Sequence, residues 1–171
     1  MLKAGVALVD ISPGPGIPMA GYPHCPRPNI GIHDPLYCAA LYLNNGKEEM
    51  VMVTMDLLFF GKKYCRAIRE KIGKNIMFTT SHTHSGPWSS TPLASEIAEG
   101  CFDDPDYIAE LLPKVEACIR EAMANPFDAE IGTGIGHCGK EQGIGGNRRD
   151  KDGLQDPTVN VIAVKDMEDR V

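Results

Sequence analysis

Residues 48–87 read EEMVMVTMDLLFFGKKYCRAIREKIGKNIMFTTSHTHSGP, and the fold turns on this stretch. From 48 to 57 the chain is dominated by Met and Val, the composition of a buried strand. Over 61–72, Tyr64, Cys65, Ile68 and Ile72 recur at helical spacing among Lys, Arg and Glu, which predicts an amphipathic helix. Residues 75–81, Asn75 to Ser81, return to a short buried strand, so the whole is a strand-helix-strand unit. It ends in His82-Thr83-His84-Ser85-Gly86-Pro87. In a strand, side chains at i and i+2 point to the same face, so both imidazoles can aim at one metal ion or one substrate atom. Gly86-Pro87 cannot continue a ladder and forces a turn. The C-terminal lip of a strand is where open α/β folds place their chemistry.

Outward from this unit, residues 36–44 and 48–57 read as strands joined by Asn44-Asn45-Gly46-Lys47, a strong hairpin signal. Residues 2–11 form a first strand, stopped by Ser12-Pro13-Gly14-Pro15-Gly16. A long loop then runs to about residue 34 through Gly21-Tyr22-Pro23-His24-Cys25-Pro26-Arg27-Pro28, and a loop of that length is usually functional or poorly ordered. Asp103-Asp104-Pro105 starts a second helix over 106–123, with Ile108, Leu111, Leu112, Val115, Ile119 and Met123 on one stripe and a kink expected at Pro113. Strands follow at 127–137 and 157–165, separated by the Gly-rich, charged loop Gly139 to Asp156. The architecture expected is α/β: a mixed sheet or two packed sheets flanked by helices, in one domain.

At 171 residues the chain can bury roughly 70% of the surface its unfolded form exposes. No run approaches the ~18 apolar residues of a membrane helix. The N-terminal apolar run is broken by Asp10, too early for a signal peptide. A net charge of −6 with scattered Lys and Arg argues against a nucleic-acid partner. The six cysteines form no C-x-x-C pair, and Cys38, Cys65 and Cys118 fall inside apolar segments. They read as reduced, buried thiols rather than a disulfide framework, which points to the cytoplasm. Assembly into a homo-oligomer stays open.

A catalytic zinc takes three protein ligands and keeps a fourth position for water. Besides His82 and His84, this chain offers His24, His33 and His137, and the carboxylates Asp10, Asp34 and Asp56. Asp56 ends an apolar strand, so its carboxylate either accepts the outer N–H of a ligating imidazole or caps the following helix or turn. An isolated His-x-His is equally a pair of locally hydrogen-bonded loop residues, and His24, His33 and His137 read as loop or structural residues.

Taken together, Gly5-Val6 to Asp10-Ile11-Ser12-Pro13, Gly21-Tyr22, Gly31-Ile32-His33-Asp34-Pro35-Leu36, Asp56-Leu57-Leu58, Thr80 to Pro87, Gly146-Asn147-Arg148-Arg149 and Asp156-Pro157-Thr158-Val159 span nearly the whole chain. In order and spacing the sequence resembles the N-terminal region of the neutral/alkaline, non-lysosomal ceramidase family. The resemblance implies a sandwich flanked by helices and a zinc-dependent hydrolase that cuts the amide of N-acyl sphingosine. It implies His82 as a zinc ligand, with His84 and Arg148 lining the site against substrate or oxyanion. Whether Arg148 or Arg149 is the functional arginine stays open on the sequence. The family's further ligands, a His, a Glu and a Tyr, and its proposed catalytic serine have no counterpart in residues 1–171. The segment is therefore expected to be the N-terminal part of a catalytic domain, binding zinc weakly or not at all by itself and inactive alone. The residues from Trp88 to Gly100 lack an apolar lipid-gripping run, so another small amide or ester remains an alternative substrate. A non-catalytic globular domain is the alternative of a different class.

Overall fold

Asn44 and Asn45 make the first turn. The Asn45 side chain accepts from the N–H groups of Lys47 and Glu48 at 2.9 and 2.8 Å, and that of Asn44 from Gly46 at 2.7 Å, with Gly46 at φ +86°. Two Asx turns in succession reverse the chain between β4 (Tyr37–Asn44) and β5 (Glu49–Met55), which pair antiparallel from Asn44↔Glu49 to Cys38↔Met55. The computed structural model describes residues 1–22, 25, 27–90, 103–168 and 171. They divide into two units, Met1–Phe127 and Asp128–Val171.

In the first unit α1 (Lys62–Ile72) crosses from β5 to β6 (Ile76–Thr80), which lies parallel to β5 from Val51↔Ile76 to Met55↔Thr80. The helix ends at Gly73, in the left-handed region at φ 72°, whose N–H closes on the Arg69 carbonyl at 2.8 Å. With β1 (Leu2–Asp10) antiparallel to β4, the strands run β6-β5-β4-β1, a mixed sheet. The long loop carries a small ladder of its own, β2 (Pro18–Met19) against β3 (Arg27–Pro28). The buried Asn29 fastens its base by donating to the Pro13 and Gly14 carbonyls at 3.0 Å each.

Helix α2 (Pro105–Ala124) starts where Asp104 accepts from the N–H groups of Asp106 and Tyr107 at 3.0 Å, with proline in the first turn. It runs continuously through Pro113. Ile68 of α1 and Tyr107, Leu111, Val115, Cys118 and Ile119 of α2 join Cys38, Ala40, Val51, Val53, Met55 and Ile76 in one core cluster, so both helices cover the same sheet face. At Gly5 the approach is so close that a Cβ would lie 1.9 Å from the Ala122 carbonyl oxygen. The opposite face carries the cross-strand row Val6↔Leu41↔Met52↔Met77, with Val6 59% and Met77 42% exposed.

The second unit is a hairpin of β7 (Phe127–His137) and β8 (Thr158–Asp166), paired antiparallel from His137↔Thr158 to Ala129↔Asp166. Its long connection holds one 3₁₀ turn over Lys140–Gln142. The α/β expectation stands, and element bounds shift by only one or two residues. Among the described residues no helix is long and apolar enough to cross a membrane, and the five described cysteines are unbridged. Cys38 and Cys118 lie in the core, where their mutual contact and burial push the Cys38 thiol up and keep it protonated.

Tyr107 donates its hydroxyl to the Ile11 carbonyl at 2.8 Å inside the core, and burial raises its phenol above the ordinary value of 10.0. A raised folded-state value means that the contribution is complete below that ordinary value and declines as pH rises through the folded one. Tyr107→Phe is expected to cost about 1–2 kcal/mol in urea unfolding at neutral pH. It should also flatten the loss of stability of the wild type above pH ~10.

Candidate metal and hydrolase site

Parallel pairing brings the C-terminal ends of β5 and β6 side by side, and the segments beyond them continue to bond. Ser81 N–H donates to the Met55 carbonyl and His82 N–H to the Leu57 carbonyl, both at 3.0 Å. Reaching Leu57 puts His82 at φ 59°, the left-handed region, and among the described residues no other non-glycine has a positive φ. Such a conformation costs of order 1 kcal/mol or more and is typical of functional sites. Strand alternation therefore does not orient the two rings, since β6 ends at Thr80. They meet nonetheless, with centroids 5.4 Å apart in an edge arrangement.

The His82 ring Nδ1 lies 3.2 Å from the Leu58 carbonyl oxygen. A carbonyl only accepts, so Nδ1 carries the proton, and Nε2 of the neutral ring keeps its lone pair. A ring fixed in this way through its outer N–H is the preparation a metal-ligating histidine needs. The Phe59 ring, 46% exposed, packs edge-on against it at 5.4 Å. Beneath the site Leu58, Trp88 and Ala20 form a small buried cluster, and the bridge Met19↔Pro87 ties β2 to the end of the His-Thr-His-Ser-Gly-Pro string.

His84 is half-buried and held from the other side. The Arg27 Nη2 donates to its carbonyl at 2.7 Å and to that of Ala20 at 3.3 Å. The guanidinium lies 4.5 Å from the centre of the Tyr22 ring, and that ring meets the His84 imidazole edge-on at 5.4 Å. Gly21 sits in the left-handed region at φ +108°, and a Cβ there would fall 2.5 Å from His84 Cγ. Arg27 was not singled out from sequence, because no spacing signal links it to a histidine 57 residues later.

Asp56 takes neither role expected of it. Its Oδ2 accepts from the Tyr37 N–H at 3.0 Å, latching β5 to β4, while the Leu58 carbonyl holds the imidazole. Helix α1 is capped at Gly61, with no side-chain bond. Asp10 accepts from Ser12 N–H at 2.7 Å, and Ser12 holds its carboxyl below the usual range. His33 is exposed and bonded to Asp34 through Nδ1 at 2.7 Å, on the rim of a groove of about 480 Å³ shared with Thr83 and Ser85. His24 lies outside the described residues. Arg148 and Arg149 lie in the second unit with His137, all exposed. There Asn147 accepts from Arg149 N–H and Asp150 N–H at 3.0 and 3.1 Å, shaping the loop that presents both arginines. Among the described residues no three His, Cys, Asp or Glu side chains gather as a complete metal set.

No family model matches the chain. In structure it is similar to the neutral ceramidase from Pseudomonas aeruginosa, with a TM-score of 0.77 and 20% identity over 99% of this chain. It is also similar to a ceramidase complexed with C2, with a TM-score of 0.75 and 20% identity over 98% of this chain. The chain spans about 30% of the length of the first and 29% of the second. The fold is thus that of a portion of the ceramidase chain.

Because Leu58 O also accepts from Thr80 Oγ1, at 3.3 Å, removal of the His82 ring does not leave that carbonyl unpaired. His82→Gly, which is at ease at φ 59°, is expected to match or exceed wild-type stability by about 0.5–1 kcal/mol. His82→Ala, which keeps the backbone strain without the ring contacts, should fall below both in thermal unfolding.

Proposed function

We propose that the protein is a zinc-dependent hydrolase that cleaves the amide of an N-acyl sphingosine or a closely similar lipid amide, releasing a fatty acid and a sphingoid base. Residues 1–171 are then the N-terminal part of its ceramidase-like catalytic domain. The observation that supports this reading best is the His82 ring, whose Nδ1 is committed to the Leu58 carbonyl at 3.2 Å and whose Nε2 is left as a donor to a metal. The ceramidase-like fold supports it independently.

His82 suits a zinc as one ligand, and the remaining ligands of such a site come from outside the described residues. A bound zinc would polarise the scissile carbonyl and lower the pKa of its water to about 7. The chain's own residues then have separable tasks. His82 holds its lone pair toward the cation. His84, fixed beside it, offers a ring N–H to the oxygen that gains charge as the carbonyl becomes tetrahedral. Arg148 lies in the second unit, and a guanidinium role for it is what the resemblance alone implies. Preorganised donors of this kind contribute about 10²–10³ in rate each when removed one at a time.

The test uses the intact gene product isolated from its native host. It is expected to contain one zinc per chain by elemental analysis and to release fatty acid from a short-chain N-acyl sphingosine. His82→Ala at the native locus should lose the zinc and the activity together, and His84→Ala should keep the zinc while losing about a hundredfold or more in kcat. Full activity in a zinc-free protein, or in His82→Ala, overturns the reading.

A further inference from the structure

The two histidines are held by different parts of the chain. His82 is referenced to the segment after β5, through the Leu57 and Leu58 carbonyls. His84 has no share in those bonds, and its backbone and ring are both referenced to the β2–β3 turn. One cation closes that circuit. Arg27, the first residue of β3, reaches the His84 carbonyl at 2.7 Å, a short charge-assisted bond, and the same Nη2 reaches the Ala20 carbonyl just after β2. The guanidinium carbon sits over the Tyr22 ring, 4.5 Å from its centre, and the Tyr22 and His84 rings meet edge-on at 5.4 Å with the planes 83° apart. The glycine between Ala20 and Tyr22 leaves the space that the ring fills.

From this the geometry points to Arg27 as a positioning residue that fixes the orientation of the His84 imidazole, with Tyr22 as the plate between them and the β2–β3 ladder as their mount. Arg27 touches no reacting atom. Its role is to hold the backbone of His84 and, through Tyr22, the ring of His84 to one mount, so that the imidazole cannot swing away from His82. A planar guanidinium can donate in its plane and stack through its face at once. An ammonium supplies only a point charge, and a carboxamide supplies a hydrogen bond without the charge. The task of His84 rests on the hydrolase reading, whereas the clamp itself does not. A catalytic donor must sit within roughly 0.5 Å and 10–20° of its working geometry, and a misplacement of about 1 Å costs on the order of a hundredfold in rate.

The experiment reads the ring directly, using the intact gene product with histidine labelled in the imidazole carbons. Wild type is expected to give His84 ring signals shifted by the Tyr22 ring current and unaveraged. In Arg27→Gln these signals should collapse toward free-imidazole positions while those of His82 stay in place, and kcat on the lipid amide should drop about tenfold to a hundredfold with KM nearly unchanged. Arg27→Lys should restore part of the kcat and little of the ring shift. Tyr22→Ala removes the plate at a residue that is 52% exposed, so it is expected to fold even if Arg27→Gln does not. It should abolish the ring-current shift and reproduce most of the kcat loss. His84 signals in Arg27→Gln that keep their wild-type positions and stay unaveraged, or a fall in melting temperature with kcat intact, overturn the clamp. An intact clamp in a protein that hydrolyses no amide overturns the hydrolase reading alone.

Discussion

The parallel pairing of β5 with β6 is the interaction on which the rest of the first unit depends. An antiparallel pair would place the ends of these strands at opposite edges of the sheet. Parallel pairing, enforced by the α1 crossover, lays Met55 beside Thr80 and lets the two chains continue side by side into the site. Ser81 and His82 then find their acceptors in Met55 and Leu57 without further structure. The left-handed turn at His82 is the geometric price of that continuation, and the bond from its ring to Leu58 is the return. Sheet register thus becomes ring orientation within three residues.

A second support is needed because the first reaches only His82. The string His82 to Pro87 leaves the sheet at once, and a loop alone would let His84 rotate. The short β2–β3 ladder meets this need by borrowing three kinds of contact: the Ala20 N–H on the Gly86 carbonyl at 2.8 Å, the Met19↔Pro87 bridge, and the Arg27 circuit. Ladders of two residues are too small to be stable alone. Here Asn29 fastens the base from within, so the described residues of the long loop, expected to be functional or poorly ordered, form a mount.

Much of this was legible in the residues. The Met- and Val-rich run, the α1 stripe and the Asn-Asn-Gly turn announced the hairpin and the crossover, because composition, helical period and turn chemistry are local. Asp104 and Pro105 announced the start of α2 for the same reason. The pairing of His82 with His84 was also legible, but for a different cause. Two residues apart, they were expected to share a strand face, whereas they come together after the strand has ended, through a left-handed residue that no propensity favours at histidine. Asp56 misled because sequence shows that a carboxylate is near a histidine, not that a main-chain carbonyl two residues later is nearer. Arg27 was invisible since its partners are a backbone oxygen and an aromatic face 57 residues and five residues away, and neither leaves a spacing pattern.

The strain at His82 separates the residue that the backbone favours there from the ring that the proposed chemistry needs. Glycine satisfies the backbone there, and histidine suits the proposed metal chemistry, at a difference of about 1 kcal/mol. That difference is small beside the 5–15 kcal/mol of a typical domain, so the fold tolerates it. It would not tolerate a helix-face error of the kind that a side chain at Gly5 would create against Ala122, where no rotamer relieves a clash between two backbones. The core therefore confines its exactions to packing, and the site draws on the margin that the core leaves. A left-handed histidine at a sheet end, tethered through Nδ1 and open at Nε2, is where the proposed function would draw on that margin.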